Sequence, residues 1–141
     1  MKEEKIKHLE FIQNVISRMN TNSFQLKTWS VTIVAALLTI FASTQKKGFI
    51  LLCILPTMII WFLDSYYLQQ ERKFRSLYND ASAETGKKIS VFSMNISDYK
   101  PNSVFKILDK HHFVNVMFSK TIWPLYLFMI LFFALLYTYL I

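Results

Sequence analysis

Three stretches of this chain carry no charged side chain. Thr28–Gln45, Gly48–Leu63 and Thr121–Ile141 run for 18, 16 and 21 residues without Asp, Glu, Lys or Arg. A soluble domain of this size scatters its apolar residues by helical or strand period, whereas here they are lumped. The hydrocarbon core of a bilayer, about 30 Å thick, needs about 17–25 helical residues to cross it. The third run is long enough outright and the first is adequate. The second is extended by Tyr66 and Tyr67 at one end and by a snorkelling Lys47 at the other. Only two Gly and three Pro punctuate the chain, which favours long helices. The runs do not alternate apolar with polar residues, which excludes a transmembrane barrel. The expected fold class is an all-α integral membrane protein with three transmembrane helices.

Charge placement orients such a chain. Of 16 Lys and Arg, five lie in residues 1–28 and nine in residues 64–120. The polar interruption between the first two runs, "STQKKG", holds only Lys46 and Lys47. Cytoplasmic flanks are enriched in Lys and Arg. The N-terminus and residues 64–120 are therefore expected in the cytoplasm, with the 44–48 turn and the C-terminus outside, as in a multi-pass membrane protein. The same topology, with attraction to anionic headgroups, accounts for the net charge of +7 without a nucleic-acid partner. The first 23 residues mix both charge signs and lack a continuous apolar stretch, unlike a signal peptide.

Four segments follow. Residues 1–23 read as an amphipathic N-terminal helix, with Ile6, Leu9, Ile12, Ile16 and Met19 at steps of three or four. "NTNS", Asn20–Ser23, is rich in capping residues and predicts a break. Residues 24–68 form a transmembrane hairpin entered through Lys27, expected to snorkel, and Trp29 at the interface. On its first span the small residues Thr32, Ala35, Ala36 and Thr39 mark the expected helix-packing face. Its second span holds Pro56, read as a packing kink and as a candidate hinge, with Thr57 placed to satisfy a freed carbonyl. Asp64, at the end of that span, reads as a hydrated boundary residue. Residues 69–120 form a cytosolic stalk that continues the second helix to about residue 81, with Glu71–Arg75 as a favourable i,i+4 pair. Beyond it, residues 91–96 alternate like a short strand, or lie irregularly along the stalk. A short helix is expected to start near Asn102 or Ser103 and to carry Val104, Ile107, Leu108 and His111. Residues 121–141 form the third span, with Ser119 as candidate cap, Pro124 in the first turn and Trp123 and Tyr126 at the interface.

Chemistry is sparse. No P-loop, GxSxG or HExxH pattern occurs. His111 and His112 are adjacent, so on a helix they diverge by about 100° and make a poor metal site. They and His8 read as surface or interfacial residues. The lone Cys53 has no partner for a disulfide within the chain. No cofactor is expected. The densest polar cluster beside an apolar run is "QQERKFR", where Arg72, Lys73 and Arg75 offer a candidate site for an anion or a lipid headgroup.

"HLEFIQNVISRMNTNSFQLKTW" and "LDSYYLQQERKFRSLY" resemble the entry and exit of the hairpin in a group of small, uncharacterised bacterial inner-membrane proteins. The resemblance covers about residues 8–80 and, weakly, the third span. That group is similar to membrane effectors or accessory proteins of anti-phage defence systems, and it brings no catalytic residues with it. The resemblance implies an oligomeric inner-membrane effector that perturbs or permeabilises the bilayer when triggered; the stalk with residues 82–120 is the expected sensor of a cytosolic protein or of a nucleotide-like anion near Arg72, Lys73 and Arg75. The competing expectation is an accessory membrane anchor that recruits a cytosolic enzyme. An enzyme finds no paired carboxylates and no nucleophile–base pair in the sequence to support it.

Overall fold

A computed structural model of the chain describes residues 2–82, 90, 92–97 and 112–139. Among them there is no strand. The elements are α1 (Lys2–Thr44), α2 (Gly48–Ser82), α3 (Phe113–Met117) and α4 (Trp123–Tyr139).

Helices α1 and α2 form one long antiparallel hairpin. The turn is residues 45–47, within the polar interruption of the sequence. Gln45 adopts the left-handed conformation, φ 54°. Its N–H closes α1 on the Phe41 carbonyl at 2.7 Å, and its side-chain amide donates to Ala42 O. Helix α2 starts with Phe49 and Ile50 N–H groups donating to the Lys46 and Lys47 carbonyls.

The expected break at Asn20–Ser23 is absent, because α1 runs unbroken through it. Capping residues favour helix ends only when their side chains turn back onto the local backbone. Ser23 instead points inward to α2. The separate N-terminal helix becomes the outer half of a 43-residue rod. Of its expected stripe, Ile12 and Ile16 are buried, whereas Ile6 is exposed.

The hairpin packs along a heptad seam. On α2, Ile50, Thr57, Asp64 and Glu71 recur every seven residues and all are buried; Cys53 and Ile60 follow three places on from the first two. On α1, Ile16, Ser23 and Ser30 share the same interval and are likewise buried. A repeat of seven is the pattern that keeps two helices in continuous contact. The seam has an apolar end near the turn, where Val34, Ile50 and Cys53 meet Met129 and Phe133 of α4. Its middle is built on Ile60, Trp61, Ile122 and Tyr126. At the far end Ile12, Ile16 and Leu77 form a third cluster, onto which Ile96 packs.

Helix α4 lies against the apolar half only. Tyr126 is level with Asp64, and Leu136 and Tyr137 pack near the turn beside Phe41 and Ile50. It runs antiparallel to α2 over the same height as the apolar parts of α1 and α2. Helices α1 and α2 are each long and apolar enough to cross a membrane; α4, with 17 residues, is shorter. These apolar helices are not sheathed by protein. Trp29 (63%), Leu55 (63%), Phe128 (70%) and Leu135 (68%) are largely exposed, as are Leu51, Ile59 and Phe62. Contiguous apolar surface of this extent marks a site that contacts another apolar phase.

The expected packing face of α1 does not meet α2 or α4 within the chain. Thr32, Ala35, Ala36 and Thr39 are all exposed within the chain, and the contacts to α2 and α4 run through Ser30, Val34, Leu37, Leu38 and Phe41. Thr32 and Thr39 donate to the carbonyls of Thr28 and Ala35, one turn back. Helix α2 continues through Pro56. Thr57 donates to Cys53 O at 2.7 Å, not to the Leu52 carbonyl that Pro56 leaves without its usual N–H. Pro124 falls in the first turn of α4 as expected. Ser119 does not cap with its side chain, since its Oγ is buried without a partner. Its carbonyl instead accepts from the N–H groups of Ile122 and Trp123.

The described part of the strand-like segment, 92–97, is irregular and lies on the far end of the hairpin. His8 Nε2 is 3.0 Å from Ser93 O, and Phe92 contacts the rings of His8 and Phe11. His8 is thus buried rather than at the surface. The helix expected from residue 102 onward lies outside the described residues.

Candidate functional site

The most distinctive chemistry lies where the apolar half of the bundle meets the polar half. Asp64, on the α2 seam, is fully buried. Lys27 of α1 places its ammonium 2.9 Å from Oδ1 and 2.7 Å from Oδ2. Ser23, one turn back on α1, donates to Oδ1. Tyr126 of α4 donates to Oδ2 at 3.1 Å. Lys27 also donates to Ser23 Oγ at 2.8 Å. One carboxylate therefore ties three helices together.

Each partner is positioned by helical geometry. Ser23 and Lys27 are four residues apart and so share a face of α1. Tyr126 is held by stacking on Trp61, with ring centroids 6.0 Å apart and planes within 13°. Trp61 is itself fixed by an Nε1–H bond to Met117 O at 3.2 Å and by the edge of Phe118. The short α3 and the turn after it thus buttress the Tyr126 ring. Phe113 packs on Phe62 at 4.9 Å between centroids.

Three sequence expectations are corrected here. Asp64 is not a hydrated boundary residue, and Lys27 does not snorkel outward: its side chain is 22% exposed and its head faces inward. Tyr126 likewise turns into the bundle instead of outward to an interface. The aspartate was visible in the sequence as a carboxylate at the end of an apolar run. Its partners were not, since they depend on the register between α1 and α2.

The arrangement holds charge rather than moving it. An ammonium has three protons, and three acceptor contacts surround that of Lys27. In the ion pair the amine is protonated and has no lone pair with which to activate Ser23 as a nucleophile. A buried pair of this kind costs desolvation and returns it only when its remaining hydrogen-bonding positions are filled. Ser23 and Tyr126 do so.

The basic cluster is less convergent than its sequence suggests. Arg75 Nε donates to Glu71 at 2.7 Å, confirming the i,i+4 pair, and Arg75 is 58% exposed. Arg72 and Lys73 are partly buried and engaged in contacts of their own. Burial lowers the Arg72 guanidinium pKa from its ordinary value, and the neighbouring Glu71 carboxylate opposes that shift. Among the described residues no three His, Cys, Asp or Glu side chains are grouped to hold a metal ion. His111 lies outside the described residues.

Beside Lys27 opens a cleft of about 400 Å³ between α1, α2 and the start of α4, with Glu71 at its far wall. Comparison of the chain with protein-family models, curated proteins and solved structures finds no match.

Proposed function

We propose that the chain is a three-span protein of the bacterial inner membrane that acts as an oligomeric, triggered membrane effector, with its N-terminus and the outer half of the hairpin in the cytoplasm. Three features support the spanning reading: apolar side chains exposed around all three helices, the shared height of those helices, and the charge asymmetry of the flanks. At 1.5 Å per residue α4 covers about 26 Å, enough for a slightly thinned bilayer.

The observation that carries the effector reading is the Asp64 junction. It sits where a cytosolic event on the stalk meets the spans. Beneath it the otherwise apolar seam buries two hydroxyl residues, Ser30 and Thr57. If the stalk shifts register, Asp64 loses Lys27 and Ser23, and the carboxylate and these hydroxyl residues face lipid. Polar groups in hydrocarbon find partners in neighbouring copies or in water. Release of the junction thus drives self-association and leakage. The trigger is a cytosolic protein or a nucleotide-like anion on the stalk. The resemblance to effectors of anti-phage defence is consistent with this design.

A specific observation favours the second reading, an accessory anchor. The contacts between the three apolar helices are dry, with Ile50, Cys53, Ile122 and Phe133 all under 2% exposed, so one copy offers no path for solutes. Dye-loaded vesicles separate the two readings. Asp64→Asn protein is expected to leak dye about tenfold faster than wild type and to form discrete oligomers in native mass spectra. Equal, negligible leakage from both, with a monomer in the spectrum, would overturn the effector reading and leave the anchor.

A further inference from the structure

We infer that the cleft beside Lys27 is a binding site for a primary-ammonium lipid headgroup, that of phosphatidylethanolamine. The inference rests on the membrane-spanning reading. The cleft has polar walls of Asn20, Lys27, Glu71 and Thr121 and apolar walls of Phe24 and Leu68. Its 400 Å³ falls within the range of small-molecule sites. Its lining runs from Lys27, Thr121 and Ile122, at the ends of the uncharged runs, to Asn20 and Glu71, about 12 Å beyond them by helical rise. That depth starts at the hydrocarbon edge and crosses the headgroup layer, about 5–8 Å thick on each side of a bilayer about 40–45 Å thick overall. Phe24, 69% exposed, lies about 6 Å beyond Thr28 by helical rise, at headgroup level.

The polarity of the cleft selects a cation. Lys27 and Asp64 cancel each other, and all three ammonium protons of Lys27 are directed at Asp64 and Ser23. An anion would have to displace one of those acceptors. Glu71 is different: it is only 6% exposed yet lines the cleft. Arg75 bonds its Oε1 along the helix from a largely exposed position, and the Arg72 guanidinium also feels its charge. An ammonium entering the cleft therefore shares Glu71 with Arg75 or displaces it. Asn20 and Thr121 supply further acceptors. Choline cannot donate hydrogen bonds, and phosphatidylglycerol carries no cation. The site therefore discriminates a primary ammonium from both.

The test is a native mass-spectrometric titration of the full chain in detergent with three lipids of identical acyl chains. Phosphatidylethanolamine is expected to bind about tenfold more tightly than phosphatidylcholine or phosphatidylglycerol, as charge-assisted hydrogen bonds of this kind allow. Free ethanolamine at millimolar concentration is expected to reduce that binding, which assigns recognition to the ammonium. Failure of ethanolamine to compete, with glycerophosphate competing instead, would overturn it. Glu71→Gln removes the preference. Thr121→Lys, at an exposed position that does not endanger folding, brings a tethered ammonium to Glu71 and also removes it. Equal binding of all three lipids to wild type, or a preference untouched by both variants, would overturn the inference. Vesicle flotation in the absence of phosphatidylethanolamine tests membrane insertion separately, so failure of the site is distinguishable from failure of the spanning reading.

Discussion

Removing Lys27 leaves a buried carboxylate without its cation. Breaking a buried ion pair from one side typically costs about 3–5 kcal/mol, whereas replacing both partners with apolar residues of similar volume is often neutral. Here Asp64 is fully buried and Lys27 is 22% exposed. Lys27→Met should therefore be the more costly single change, about 3 kcal/mol. The value falls at the low end because Ser23 and Tyr126 still donate to the carboxylate. Asp64→Leu should cost less, about 2 kcal/mol, because the freed lysine reaches the cleft and its water. The double variant should lie within about 1 kcal/mol of wild type. The coupling between the two sites, about 4–6 kcal/mol, is then the measured quantity. Unfolding in graded mixtures of mild and denaturing detergent, followed by tryptophan fluorescence, gives all four corners of the cycle. Trp61 stacks on Tyr126, which binds Asp64, so the probe lies at the junction. Additive losses in the double variant would refute the account, as would single changes each below about 0.5 kcal/mol.

Further outcomes follow from the same packing. Tyr126→Phe keeps the Trp61 stack but loses a hydrogen bond to a charged acceptor, so about 1.5 kcal/mol should be lost in the same assay. Phe133→Ala, at a position 1% exposed, should cost about 2 kcal/mol rather than the 3–5 usual in water. With α4 spanning the bilayer as proposed, lipid is as apolar as the core, so only the cavity term remains. At the turn, Gln45→Gly relieves a left-handed residue that bears a side chain and should raise stability by up to about 1 kcal/mol, read as a shift in the denaturing-detergent midpoint. His8→Ala removes the ring that meets Ser93 O and Phe92. Amide exchange at 92–97 should accelerate at least tenfold while exchange in α2 near Trp61 stays unchanged.

Composition and charge-free runs carry the coarse fold: two long helices joined at residues 45–47, the second continuing well past Leu63, and a third apolar helix opening on Trp123-Pro124. Local rules were enough because charges bound the first two runs on both sides and open the third at Lys120. The seam was harder. Small residues do line the helix contacts, as expected for close approach, but they are Ser30, Cys53, Thr57 and Ser65 rather than Thr32, Ala35, Ala36 and Thr39. Both sets keep helical spacing, and only the position of α2 and α4 decides between them. Asp64 shows the same limit. Its type and its place at the end of a run were legible. Whether it meets water or Lys27 depends on pairing residues 37 positions apart. The seven-residue recurrence of Ile50, Thr57, Asp64 and Glu71 was present in the sequence, and counting it would have placed Asp64 inside.

The unbroken course of α1 has a mechanical consequence. Its 43 residues make a rod about 65 Å long, and the Asp64 junction grips it near the middle, at Ser23 and Lys27. A helix with no break at Asn20–Ser23 works as a lever about that fulcrum. Tilting the outer arm by 10° moves each end by about 5–6 Å in opposite directions. That is one helical turn of displacement at the Lys46–Lys47 tip, delivered from the opposite end of the molecule without unfolding either arm.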